Sequence, residues 1–196
     1  MGFLLLGYSA QAIQKFQSYP VRKASECVVK DGHMGLSVGV EPMESLQDQE
    51  SYFNTVLSPK GFLPIYIVIE NNSDGASYIF DKNAVTYGVS TGKGGGPTLN
   101  AGAAKTAEVT TAAAIVVAPI AVVASFIAAQ FVSNATEVQQ NLLKSEVQST
   151  TLSVGDTVHG FLYIPVPKKR PRGEIHLQVP VTKAGTKESF VLNLVF

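Results

Sequence analysis

The chain has 196 residues, 45% of them hydrophobic and only 15% charged, with 15 Lys plus Arg against 15 Asp plus Glu. That length suits one domain with an insertion, or at most two small domains, and the charge content is well under the roughly 25% of an ordinary soluble protein. Balanced charge argues for neither nucleic acid nor an acidic substrate, the lack of Trp excludes Trp-based cages, and the single Cys excludes an internal disulfide or a cysteine-based metal site.

Gly2 to Ala12 reads GFLLLGYSAQA, an apolar stretch closing on an Ala-x-Ala-like pattern with no Lys or Arg before it. It reads either as a degenerate export signal or as a short terminal helix or membrane-dipping tail. Residues 1–35 form an N-terminal segment on this reading, and 13–33 show no sustained period. Cys27 reads as a small buried thiol, the alternative being an intermolecular disulfide.

Leu36 to Val40 alternates and predicts a first strand, stopped by Pro42. Residues 44–57 predict a short helix with Leu46, Phe53, Val56 and Leu57 on one side. Phe62 to Glu70 (FLPIYIVIE) is apolar almost throughout, as a central strand is, with Pro64 expected near its start. Asn71 to Gly75 is a turn, and Ala76–Phe80 and Asn83–Val89 are two further strands. Later, Ser149–Gly155 supplies a strand edge and a turn. Thr157–Val166 predicts a strand with a bulge at Gly160. Ile175, Leu177, Val179 and Val181 alternate with His176 and Gln178, Lys183–Lys187 is a hairpin turn, and Phe190–Phe196 closes the domain. About seven strands at this spacing, with no βαβ rhythm, predict a mainly β fold: an antiparallel sandwich whose two parts are 36–90 and 150–196.

Between those parts, 91–149 forms an insertion. It opens with a Gly-rich linker, continues as an apolar helical run, and ends in a polar helix from Val138 to Gln148 with Leu142, Leu143 and Val147 along one face. Glu108 and Glu137 bracket 28 residues without a formal charge. Ala112 to Val132 is long enough to cross a bilayer, which takes roughly 20 apolar residues. Three placements follow: a re-entrant hairpin turning near Pro119, a helix packed on the domain or on other subunits, or a single span with the two β portions folding apart. The contact residues predicted for lipid or a partner are Ile115, Val116, Val117, Ile120, Val122, Val123, Phe126, Ile127 and Phe131. An uncharged run of this length on a soluble surface would exceed the few hundred Å² of apolar patch usual for monomers. Replacing 101–147 by a short Gly-Ser bridge is accordingly expected to give a soluble monomer.

Chemistry-bearing motifs are sparse. Gly88 to Lys93 (GVSTGK) is one residue short of a phosphate-binding loop, and Gly94 stands where Ser or Thr would reach magnesium. His33, His159 and His176 are scattered, no GxSxG elbow occurs, and the Asp residues sit in turn-like settings. No metal and no cofactor is expected, and the chain reads as a non-enzyme. Lys168, Lys169, Arg170 and Arg172 form the one charge cluster, either a solvated hairpin tip or a contact for anionic headgroups.

Gly61 to Asp74 (GFLPIYIVIENNSD) and Thr151 to Pro165 (TLSVGDTVHGFLYIP) resemble two stretches of an uncharacterised family of bacterial envelope lipoproteins with an Ig-like domain. The resemblance covers roughly 36–90 and 150–196. It implies an Ig-like sandwich with an apolar insertion between the motifs, and no activity. Leu4 to Gly7 likewise resembles the start of a lipoprotein signal, but Tyr8 stands where the lipid-bearing Cys would be, which leaves the insertion as the anchor. The expected function is a structural or interaction module of the cell envelope, on the periplasmic side of a membrane. Its partners would be membrane lipid or protein subunits, with homo- or hetero-oligomers allowed and nucleic acid excluded. The alternative is a small-ligand or lipid-binding module using the insertion as lid or cradle.

Overall fold

The computed structural model describes residues 18–89, 135–166 and 174–196. The N-terminal apolar stretch, the Gly-rich linker, the nine predicted apolar contacts from Ile115 to Phe131 and the basic cluster Lys168–Arg172 all lie outside the described residues.

Nine strands are described, in two antiparallel sheets. The first has the order β1 (Val29–His33), β2 (Leu36–Pro42), β3 (Phe62–Asn71), β7 (Thr157–Pro165). In the second, β8 (Ile175–Lys183) is central: β9 (Ser189–Val195) runs along one edge, and β4 (Tyr78–Phe80) and β5 (Thr86–Val89) share the other, with β6 (Thr150–Leu152) beyond β4. The sheets pack face to face. Val38, Ile65, Ile67, Ile69 and Leu162 of the first meet Tyr78, Phe80, Leu177, Val179, Val181 and Leu192 of the second, all at most 1% exposed.

The expected join holds: β3 and β7 are neighbours in unbroken register from Phe62↔Pro165 to Glu70↔Thr157. Each sheet takes strands from both sides of residues 90–134, so the two portions of the chain do not fold apart, and the placement that required them to do so falls. The bulge expected at Gly160 is absent, since the register runs through it. A different constraint puts glycine there, as described below.

Strand β3 is buried on both faces because this is a three-layer arrangement. Its odd positions face the second sheet. Phe62, Tyr66 and Val68 face a second core with helix α1 (Leu46–Phe53) and helix α2 (Ala135–Ser145). Pro64 is tolerated for a reason of register. Gly61 accepts from Val166, so odd β3 residues bond to β7 and even ones to the β2 side. The missing N–H of Pro64 thus faces Met43, one residue past the end of β2; Met43 N still donates to Pro64 O at 2.9 Å, and Met43 O takes its bond from Gln49 Nε2 instead. Pro180 repeats the device. Lys183 and Ile175 donate to Glu188 and Phe196 of the β9 side, so Pro180 faces the opposite edge, in the gap between β4 and β5 made by the turn Lys82–Ala84.

Three expectations need correction. Strand β1 was not foreseen: at the sheet edge Lys30, Asp31 and Gly32 carry no alternating apolar signal, and its burial pattern is mostly exposed. In α1 the inward position goes to Gln49, fully buried, while Leu46 is 52% exposed. Gln49 is admitted because all its amide capacity is used: Nε2 donates to Met43 O and Ser58 Oγ, both at 2.7 Å, and Oε1 accepts from Leu57 N and Ser58 N. Finally, the polar helix predicted after the apolar run is α2, and it is part of the folded body. Its Val138 and Leu142 lie in the second core, Val147 just past its end lies in the first, and Leu143 points outward.

Candidate functional site

Tyr66 on β3 lies directly opposite Phe161 on β7, and both project to the helix side of the sheet. Phe53, from the end of α1, packs edge-on against Phe161 at 4.9 Å and against Tyr163 at 5.8 Å. Tyr52 comes from the same helix end. These rings form an open box, and Tyr19 fills it. Its ring centroid lies 4.6 Å from Tyr66, 4.9 Å from Tyr52 and 5.1 Å from Phe161. Each such pair contributes about 0.5–1.5 kcal/mol beyond the area it buries.

The chain reaches this position because the turn Ala24–Glu26 docks on the sheet at Gly39. A Cβ there would lie 2.6 Å from Ala24 O and 2.7 Å from Cys27 Sγ, so only glycine allows the approach. Cys27 is thereby 4% exposed, which matches the buried-thiol reading, and burial pushes its pKa up.

Polar groups surround the box. Tyr19 Oη donates to Glu41 Oε2 at 3.3 Å, and Arg22 Nη1 meets the same oxygen at 2.6 Å. The Arg22 guanidinium also lies 5.7 Å from the Tyr19 ring centroid, within cation–π range. Two clefts adjoin Tyr19 and Tyr52, which line both. One, of about 230 Å³, is also lined by Ser18, Asn141, Lys144 and His159; the other, of about 510 Å³, by Arg22, Glu41, Met43 and Asp48. Burial, reinforced by the Glu41 carboxylate, holds the Tyr19 phenol well above its ordinary value, and burial also raises Tyr66.

Sequence reasoning pointed elsewhere, and none of its predicted contact residues lies among these. The three histidines do not converge: His33 packs on Phe190 at 4.8 Å, His176 stands 3.8 Å from Glu174, and His159 alone reaches the cleft. Among the described residues no group of three His, Cys, Asp or Glu is placed to hold a metal ion. Likewise, no described helix is long and apolar enough to cross a membrane. The signal that could have found the box was the second apolar face of β3, which demanded a covering layer.

A second polar feature ties together the segments on either side of 90–134. Lys82, between β4 and β5, pairs with Glu146 at 2.9 Å, and Glu146 Oε1 is buried without a hydrogen-bond partner. Ser149 Oγ accepts from Lys82 N at 3.0 Å and binds Asp81 Oδ1 at 3.1 Å.

Phenols set the alkaline limit of the fold. Burial pushes Tyr87 from 10.0 up to about 12, and burial together with Glu146 holds Tyr163 well above its ordinary value. A raised folded-state pKa means the native chain holds its proton where the unfolded chain has lost it. Stability is then complete below about pH 10 and falls as pH climbs through that value toward 12. Urea midpoints at neutral pH and at pH ~11 should therefore differ, the latter being lower; equal midpoints would contradict the burial of these hydroxyls.

Compared with known proteins, the chain matches no family model, no curated sequence and no solved structure.

Proposed function

We propose that this protein is a non-enzymatic interaction module of the bacterial cell envelope, with an Ig-like type of sandwich, attached to a membrane or to partner subunits through residues 112–132. The observation that carries the reading is that the uncharged run leaves one folded body and returns to it. β5 precedes the run, α2 follows it, and Lys82–Glu146 ties their surroundings together. A run tethered at both ends suits a re-entrant or partner-buried loop. The predicted contacts Ile115 to Phe131 would face lipid or protein, and Lys168, Lys169, Arg170 and Arg172, between β7 and β8, would meet anionic headgroups at about 1 kcal/mol each.

Val122→Asp tests this, because a charge at mid-run costs roughly 2.5–3.5 kcal/mol on insertion. The variant should leave the membrane fraction, or its oligomer should dissociate, with the circular dichroism of the β core unchanged. Deletion of 101–132 should do the same; the longer deletion through 147 is unsuitable, since it removes Val138, Leu142 and Val147 from the cores. If the shorter deletion still sediments with membranes, the anchor lies in Gly2–Ala12 instead.

The second reading, a small-ligand or lipid-binding module, is favoured by the clefts beside Tyr19. Extraction in mild detergent separates the two: stoichiometric protein partners favour the first, and co-purified lipid without a partner the second.

A further inference from the structure

We propose that residues 18–22 are a built-in occupant of a peptide-binding groove on the helix side of the first sheet, and that the groove takes an extended peptide of the form acidic-Tyr-x-x-Arg. This deepens the interaction-module reading and rests on it.

The walls and the occupant differ in kind. Tyr66 and Phe161 stand on β3 and β7, paired in unbroken register and largely buried, and Tyr52 stands beside Phe53 at the end of α1. Residues 18–22 belong to no helix or strand. They are held through side chains in the manner of a ligand: one ring in a box, one guanidinium on the Glu41 carboxylate at 2.6 Å, and a long 3.4 Å bond from Arg22 N to Tyr66 Oη. Pro20 keeps this stretch extended, as peptide ligands are when they meet aromatic grooves.

Open space continues on both sides of the occupant. Ser18 lines the cleft with Lys144 and His159, whereas Arg22 lines the cleft with Glu41 and Asp48. The groove is thus polarised along the chain direction, with basic groups before the tyrosine and acidic groups after it. A carboxylate in place of Ser18 would meet Lys144, and the basic residue three positions after the tyrosine repeats what Arg22 does.

In the intact chain the built-in segment competes at the millimolar effective concentration typical of short tethers. Binding of an outside peptide is therefore weak until the segment is displaced. The test uses the purified full chain, its Tyr19→Ala/Arg22→Ala variant, and a fluorescein-labelled peptide Asp-Tyr-Pro-Val-Arg followed by anisotropy. The double variant should bind at least about tenfold more tightly than the parent chain, given a millimolar competitor removed. A peptide with Ala for Tyr should not bind. Arg22→Ala alone, which leaves the ring in its box, should fall between the two and serves as the probe if the double variant does not fold. Absence of saturable binding to a folded variant, or equal binding to the parent chain, overturns the proposal. Fractionation of Val122→Asp is read independently, so failure of membrane attachment and failure of the groove are told apart.

Discussion

Asn71→Ala should cost about 3–5 kcal/mol, a large part of the 5–15 kcal/mol that holds a domain of this size folded. Asn71 ends β3 and is fully buried. Its Nδ2 donates to Ala76 O at 2.8 Å and to Leu152 O at 3.0 Å, while its Oδ1 accepts from Ser73 N and Ser73 Oγ. Its backbone adds bonds to Asp156 and Gly155. One side chain thereby joins the end of the first sheet to β6 of the second and to the turn before β4. Alanine strips Leu152 O and Ser73 N of these bonds in a dry place, each costing about 1–3 kcal/mol before relaxation, while Ser73 Oγ and Ala76 O keep their own 2.9 Å bond. Asn71→Asp should be as severe, because a carboxylate oxygen would then face both carbonyls. The exposed neighbour gives the control: Asn72→Ala should stay within about 0.5 kcal/mol. Urea denaturation measures all three, and an unshifted midpoint for Asn71→Ala would refute the account.

Gly160→Ala should detach α2 from the sheet while leaving the sandwich folded. A Cβ at this position would lie 2.5 Å from Val147 N and 2.6 Å from Val147 Cα, and backbone cannot swing aside as a side-chain tip can. The segment after α2 must move, breaking the 3.0 Å bond from Val147 N to Phe161 O. Leu142 then loses its seat, along with the 3.1 Å bond that Tyr163 Oη donates to Leu142 O. The cost should be about 2–4 kcal/mol, the range for forced overpacking with a lost hydrogen bond. Gly185→Ala, in open space at φ 75, should lose only the backbone preference of about 1 kcal/mol. Hydrogen exchange is the direct readout. Amides of 135–147 should lose protection in Gly160→Ala while those of β3 and β8 keep it, and unchanged protection of α2 would refute the assignment.

Much of the sandwich was legible because its signals are local. The alternation of Ile175, Leu177, Val179 and Val181 names the inward face of β8, and each is at most 1% exposed. The apolar run of β3 announces a central strand, and the breakers at Asn71–Gly75 and Lys183–Lys187 mark real turns. Where the sequence was opaque, the deciding contact lies far along the chain. Gly160 read as a bulge because its clash partner, Val147, has no relation to it in the strand pattern. Gln49 and Asn71 looked like surface residues, since their burial depends on partners that composition does not display. The aromatic box escaped notice for the same reason: Tyr19, Tyr52, Tyr66 and Phe161 come from four separate stretches, and none has a motif around it.

The unbroken pairing of β3 with β7 has a consequence for synthesis. During translation the stretch FLPIYIVIE leaves the ribosome with β2 available on one side, but its other neighbour emerges only after the entire 90–149 segment. Until then Ile65 to Ile69 presents a bare, uncharged edge flanked by two apolar faces, the composition from which cross-β aggregates nucleate. Glu70 and Lys60 are the charged gatekeepers at its ends. Closing a sheet across so long a loop is also entropically slow. The yield of folded protein should therefore rise when β3 is shielded while it waits, by a holdase chaperone or by slow growth in the cold.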